Sequence, residues 1–378
     1  MGLSRSTDSH IRLLQPDTVE IPGSDQFRYF ETSYQWGLEM KKTAITGTGR
    51  YVPPRKVTND DLSQWMDTSD EWIRQRTGIE QRYWVPEQGG VGASDLGLAA
   101  SRVALENAGW EPGDIDLIIF ATLSPDIFFP GPGCLMQQKL GLDRTPALDI
   151  RQQCNGFLYG LATADAFIRS GYYQRILFVG GEVHSTGLDL STQGRDVSAI
   201  FGDGAGAVCL EGVTDEAPTG ILASALHAEG AMADSLMIEG PASRSWPRMS
   251  EQMIQEGRHY PIMDGQKIFK TAVRRLPEVP HRTLAEADLK AEDIDLYIPH
   301  QANLRINQAF QRAMGLPEEK VFHNVQKFGN TTAASIPIAL DEALEKGIIG
   351  PGSTVMFIAL GAGLTWGAII FRFGSQSH

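Results

Sequence analysis

The chain has 378 residues, 42% of them hydrophobic and 21% charged, with a formal net charge of −13. That length suits two or three domains, or two fused halves of one large fold, with ample material for a core. The acidity weighs against a nucleic-acid binder or a membrane-surface protein, whose partners are themselves anionic. Three cysteines, Cys134, Cys154 and Cys209, are too few and too far apart for a disulfide scaffold or a cysteine zinc site. No metal is expected, and a reducing cytoplasm is the simplest setting. The N-terminus lacks the apolar run of a secretory signal, and no apolar stretch reaches the ~18 residues of a membrane span.

Residues 1–40 are polar, show no clear period, and end in the aromatic cluster Phe27, Tyr29, Phe30, Tyr34 and Trp36. They read as an extension, either loosely attached or docked as an arm. Met40 opens MKKTAITGTGRYVPP, a first strand and a Gly/Pro turn. From there the chain repeats itself. Asp-Ile-Asp-Leu stands at 114–117 and again at 293–296, an offset of 179. At that offset ALENAGWEPGDIDLIIFAT (104–122) aligns with TLAEADLKAEDIDLYIPHQ (283–301), and ILFVGGE (176–182) with VMFIALG (355–361). Between them, residues 154–171 match residues 330–347 at an offset of 176. Both halves read helix, strand, helix, strand. That order implies right-handed βαβ units and mostly parallel sheets with covered faces. The halves divide near 213, giving 41–213 and 214–378.

Cys154 follows a predicted strand at 147–150 and opens a helix with apolar residues at Phe157, Leu158, Leu161, Ala164, Phe167 and Ile168. A thiol at a helix N-terminus faces unpaired N–H groups and the positive end of the dipole, which lowers its pKa and makes it a nucleophile. The alternative is a small buried hydrophobe, the role expected of Cys134 and Cys209. Phe201-Gly-Asp-Gly-Ala-Gly206 precedes a strand instead of following one, so it reads as a tight turn beside the core and not as a dinucleotide fingerprint. His300 stands at the carboxyl end of a strand at 295–299, and Asn330 takes the position equivalent to Cys154. A pseudo-twofold axis would bring Cys154, His300 and Asn330 together beyond the strand ends. The trio alone does not fix the reaction, since papain-like proteases also use Cys, His and Asn. The loop in Ala359-Leu-Gly-Ala-Gly-Leu-Thr-Trp-Gly367 could aim backbone N–H groups at an oxyanion.

Five stretches together resemble β-ketoacyl-acyl-carrier-protein synthase III of the thiolase superfamily. They are Thr68-Ser-Asp-Glu-Trp-Ile-Arg-Gln-Arg-Thr-Gly-Ile79, FGDGAG at 201–206, Pro299-His-Gln-Ala-Asn-Leu-Arg-Ile306, Gly329-Asn-Thr-Thr-Ala-Ala-Ser335 and Leu364-Thr-Trp-Gly367. The likeness runs from about 41 to 374. It implies a thiolase-like α/β fold, two duplicated βαβαβ halves in an α-β-α-β-α stack, and a homodimer. It also implies a ping-pong condensation without a cofactor. Acyl-CoA, a substrate, would acylate Cys154; malonyl-acyl-carrier protein would then lose CO₂ and attack the thioester. The N–H groups of Cys154 and Ala362 would form the oxyanion hole, and His300 Nε2 and Asn330 Nδ2 would hold the enolate. Family matches put Trp72 and Arg195 around the CoA adenine, Arg76 and Asn303 along its phosphate and pantetheine arm, and Gly265 near the mouth. Phe129 matches a residue that reaches into the partner's acyl pocket.

The chain also departs from that pattern. Arg151-Gln152-Gln153 replaces a run of small residues before the nucleophile, Leu364 an aromatic, and Ala362 a glycine. The segment 229–262 is long and carries Trp246, Pro247 and several methionines. These positions bear on which primer is used. Two rivals share the fold: an acyltransferase that does not condense, and a non-catalytic partner subunit. His300 and Asn330 weigh against the first, Cys154 against the second. Carrier proteins are acidic, as is this chain, so docking needs a local basic patch. Lys267, Lys270 and Arg274 share one face of the helix after Gly265, with Arg305 on the same half. A solvated helix face is the alternative.

Overall fold

A computed structural model describes residues 41–374. The expected extension at 1–40 lies outside the described residues. Thirteen strands follow in order: β1 Lys41–Tyr51, β2 Arg55–Thr58, β3 Gln81–Trp84, β4 Leu117–Ala121, β5 Ala147–Ile150, β6 Arg175–Glu182, β7 Gly204–Thr214, β8 Gly220–Ala228, β9 Leu236–Ile238, β10 Pro261–Met263, β11 Leu296–Pro299, β12 Thr354–Gly361 and β13 Thr365–Arg372.

Two sheets carry the fold. The first has the order β1-β7-β6-β4-β5 and the second β8-β13-β12-β11. Each position of the first sheet has a counterpart in the second; an isolated parallel bridge between Tyr297 and Val321 stands where β5 would be. The chain passes from one sheet to the other between Thr214 and Gly220. The sheets are mixed, which corrects the expectation of mostly parallel pairing. β4 is parallel to β5 and β6, and β11 to β12, but β7 and β13 run antiparallel to both of their neighbours. Only three residues join β12 to β13, far too few for a parallel crossover.

Alternation along the strands builds the layers. In β4, Ile118 and Phe120 face the helix Ala93–Ala108, whereas Leu117 and Ile119 face inward. The inward layer holds the helices Gly156–Arg169 and Ser335–Glu345 between the two sheets. Phe157 makes edge contacts with Phe178 of β6 at 5.3 Å and Phe357 of β12 at 5.1 Å, tying the sheets together. Helix Gly265–Glu286 and helix Leu304–Met314 cover the outer face of the second sheet. The result is the expected α-β-α-β-α stack.

The repeat is seated differently at its centre. Gln153 (φ 43°) and Thr332 (φ 49°) are both left-handed and each opens a short 3₁₀ turn before a middle helix. Their spacing keeps the offset of 179, so the counterpart of Cys154 is Ala333, and Asn330 lies three residues earlier. The offset of 176 holds only at the far helix ends, Gly171 and Gly347. Helix Gly156–Arg169 has 14 residues and Ser335–Glu345 has 11, which accounts for the slip. The two turns nonetheless abut: a Cβ on Gly156 would come within 2.8 Å of the Ala333 Cβ.

Candidate active site

Cys154 is buried in the turn that precedes helix Gly156–Arg169. Gly361, the last residue of β12, packs against it; a Cβ there would stand 2.8 Å from the Cys154 sulfur, so only glycine fits. The backbone N–H groups of Ala362 and of Cys154 face that sulfur. They do not lower the thiol overall. Burial pushes it up to about 12, helped by the charge of Glu182, and the two N–H groups oppose this only in part. The expectation of a depressed thiol pKa therefore fails. A helix N-terminus offers partial charges, whereas desolvation acts on the whole charge of the thiolate.

His300 sits at the end of β11 and is 5% exposed. Its Nδ1 lies 2.6 Å from Ser335 Oγ, which also receives the Gln301 N–H at 3.4 Å. In the tautomer that carries the imidazole hydrogen on Nε2, the Ser335 hydroxyl donates its proton to Nδ1. Burial pulls the ring down to about 3, so it is neutral. Nε2 is buried with no partner among the described residues, on the wall of a cavity it shares with Cys154 and Asn330.

Asn330 is fixed from both sides. Its Oδ1 accepts the Thr332 N–H at 2.9 Å, which turns Nδ2 outward as a donor. Its backbone pairs with the FGDGAG turn: Asn330 N–H donates to Ile200, and Gly202 N–H donates to Asn330. The glycine-rich stretch is thus a backbone clamp on Asn330. A Cβ on Gly202 would lie 2.2 Å from the Phe328 carbonyl oxygen.

Two cavities open at Cys154. The smaller, about 130 Å³, carries His300, Asn330, Asn303 and Gly265. The larger, about 650 Å³, carries Arg151, Gln153, Leu123, Met237 and Ala362. The β9–β10 ribbon contributes Leu236 to both. Arg151 and Gln153, two of the departures from the family pattern, therefore line the larger space. Leu364 is fully buried and pairs backbone to backbone with Glu229.

The remaining candidates divide. Two guanidinium groups lie against the Trp72 ring, Arg76 at 4.2 Å and Arg195 at 4.9 Å from its centroid. Asn303 Nδ2 donates to the Arg76 carbonyl at 3.0 Å, which ties this cluster to the smaller cavity. Phe129 is 77% exposed, beside Ile127 and Phe128, and lines neither cavity of its own chain. Lys270, Arg274 and Arg305 are exposed, while Lys267 pairs with Asp234 at 3.4 Å. Cys134 proves exposed, against expectation, because its helix Pro132–Lys139 turns it outward; Cys209 is buried in β7.

Sequence reasoning missed Ser335, Glu182 and His184. Ser335 stood inside a quoted motif without a role. Glu182 ends β6 at the counterpart of Gly361, and a charge closing an apolar strand was the available signal. It is fully buried and accepts from the Thr122 hydroxyl and the Leu123 and Ser124 N–H groups, yet burial still pushes it up to about 7. His184 Nε2 lies 2.7 Å from Thr332 Oγ1, supporting the turn beside Asn330. Among the described residues, no group of His, Cys, Asp and Glu is arranged to hold a metal ion, and no helix is long and apolar enough to cross a membrane.

Residues 148–230 match the family model of 3-oxoacyl-[acyl-carrier-protein] synthase III, and residues 284–373 match the model of its C-terminal part. The chain is 41% identical to 3-oxoacyl-[acyl-carrier-protein] synthase III from Aquifex aeolicus, over 88% of this chain and 100% of that one, with a TM-score of 0.79. The chain belongs to the 3-oxoacyl-acyl-carrier-protein synthase III family. The Thermus thermophilus member is 38% identical over 88% of this chain and 100% of its own, with a TM-score of 0.80. A priming β-ketosynthase of the R1128 polyketide pathway is 30% identical over 90% of this chain and 98% of its own, also at 0.80. The protein is accordingly an acyltransferase-type enzyme with the thiolase-like fold of that family.

Proposed function

We propose that the protein joins an acyl-CoA primer to malonyl-acyl-carrier protein by decarboxylative condensation through an acyl-Cys154 intermediate. The observation that carries this is the pair of donors, His300 Nε2 and Asn330 Nδ2, on the cavity that also holds the thiol. A simple acyl transfer has no enolate to stabilise and no use for two such donors.

In the first half-reaction the Cys154 sulfur attacks the thioester carbon. The carbonyl oxygen takes charge against the N–H groups of Cys154 and Ala362, and the thiol proton leaves with the CoA sulfur. A thiol near pKa 12 is not a standing thiolate, so the sulfur must lose its proton as it attacks. The acyl group lies in the larger cavity, and the malonyl thioester then enters the smaller. Loss of CO₂ leaves an enolate whose oxygen sits between His300 and Asn330. A neutral His300 suits this step, because a donor is required and not a base. Acyl-CoA would enter past Asn303 and the Trp72 cluster. The exposed Ile127–Phe129 run supports a homodimer that covers it.

The test separates the half-reactions. His300→Ala and Asn330→Ala should still acylate Cys154, yet lose CO₂ release from malonyl-acyl-carrier protein by roughly 100-fold or more. Equal loss of both steps would overturn the assignment. A wild-type enzyme that acylates but never releases CO₂ would favour the transferase.

A further inference from the structure

A second unpaired amide nitrogen is buried at the wall of the smaller cavity. Asn307 lies one turn inside helix Leu304–Met314 and is 2% exposed. Its side chain lines the cavity, and Nδ2 has no hydrogen-bond partner among the described residues. The wall around it is apolar: Ala272, Leu276, Ile306 and Phe310. A buried donor left unpaired loses its bonds to water and gains none in return. An aliphatic residue would line such a wall without that cost, so the amide points to an acceptor that arrives with a ligand.

We infer that Asn307 Nδ2 receives the carboxylate of the malonyl group and positions it for loss of CO₂. This rests on the condensation reading above. A malonyl thioester brings three kinds of acceptor: the thioester oxygen, the pantetheine amides and the carboxylate. His300 and Asn330 take the first. The pantetheine arm is assigned by the family resemblance to Gly265 and Asn303, and Asn303 lies one helical turn before Asn307. The carboxylate is the acceptor left for Asn307.

The chemistry suits a neutral amide. One donor fixes the direction of the carboxylate, while the apolar wall withholds the solvation that water would give it. A lysine or arginine would stabilise the charge that must disappear. The bond from the α-carbon to the carboxyl carbon breaks, and its electron pair becomes the enolate held by His300 and Asn330. CO₂ leaves uncharged. The enolate carbon then bonds the acyl carbon, and the Cys154 sulfur departs and regains a proton from water.

Asn307→Leu and Asn307→Ala test this, with three measurements on each full-length variant: thermal unfolding, acylation of Cys154 by acyl-CoA, and condensation kinetics with malonyl-acyl-carrier protein. Acylation should stay within about twofold, and kcat/KM for the malonyl substrate should fall roughly tenfold, the worth of one hydrogen bond to a charged group. Asn307→Leu should unfold no lower than wild type, since the unpaired donor is gone. Unchanged condensation in either folded variant overturns the proposal. So does a parallel loss of acylation, which would put the contact on the pantetheine arm. Failure of the underlying reading is distinct: wild type itself would release no CO₂.

Discussion

Ser335→Ala removes the hydroxyl that holds His300 Nδ1 at 2.6 Å and leaves the rest of the catalytic wall in place. Ser335 is the first residue of its helix and not the cap, so alanine keeps the backbone. The imidazole then has a buried, half-satisfied ring. Leaving one buried partner unmade costs about 1–3 kcal/mol, equivalent to roughly a 5- to 150-fold drop in the population with Nε2–H aimed into the cavity. Burial holds the ring near 3, far below neutrality, so restoring the donor by full protonation is not open to it. Condensation should fall by roughly 5- to 150-fold, whereas acylation should be unchanged, because it uses the sulfur and the N–H groups of Cys154 and Ala362. Rapid-quench mass measurement of acyl-enzyme, run beside CO₂ release from malonyl-acyl-carrier protein, reads the two steps separately. Wild-type condensation in Ser335→Ala would refute the tautomer argument; parallel loss of acylation would show that Ser335 holds the fold instead.

Lys270→Glu combined with Arg274→Glu should raise KM for malonyl-acyl-carrier protein, more so at low salt, with acylation by acyl-CoA within a few-fold of wild type. Unchanged kinetics at low ionic strength would move the docking face elsewhere. A third expectation concerns pH. Burial raises Glu182 from an ordinary 4.5 to about 7, so between those values the folded chain holds a proton that the unfolded chain has shed. Its contribution to stability is present below 4.5 and is lost as pH rises towards 7. Glu182→Gln lacks this loss, so its stability relative to wild type should climb by about 1.4 kcal/mol per pH unit across that window in urea unfolding. A difference that stays flat with pH would mean Glu182 is ionised throughout.

Much of the architecture was legible because the duplication is written in buried strands. β4 and β11 start 179 residues apart, as do β6 and β12, and a strand covered on both faces tolerates little but apolar residues. The slip of three residues inside the second middle helix was hidden, because Gly171 and Gly347 still match and draw the alignment to 176. Sheet direction was missed although the three-residue link from β12 to β13 contained it. That Cys154, His300 and Asn330 line one cavity was legible from strand and helix ends, although Asn330 was matched to Cys154 at an offset that holds only at the far helix ends. The state of the thiol was not, since burial and Glu182 come from other parts of the chain. Ser335 and Asn307 escaped for the same reason: a serine and an asparagine acquire meaning only from what lies within 3 Å, or from what is absent there.

The central claim is that the primer is carried on Cys154. Intact-protein mass spectrometry after incubation with a panel of acyl-CoAs measures this directly, comparing wild type with Cys154→Ser, Cys134→Ser and Cys209→Ser. The account predicts a single acyl mass on wild type and on the Cys134 and Cys209 variants. It predicts none on Cys154→Ser, because a buried hydroxyl without a strong base is a poor nucleophile. Acyl mass persisting on Cys154→Ser, or absent from wild type with every acyl-CoA, would contradict it.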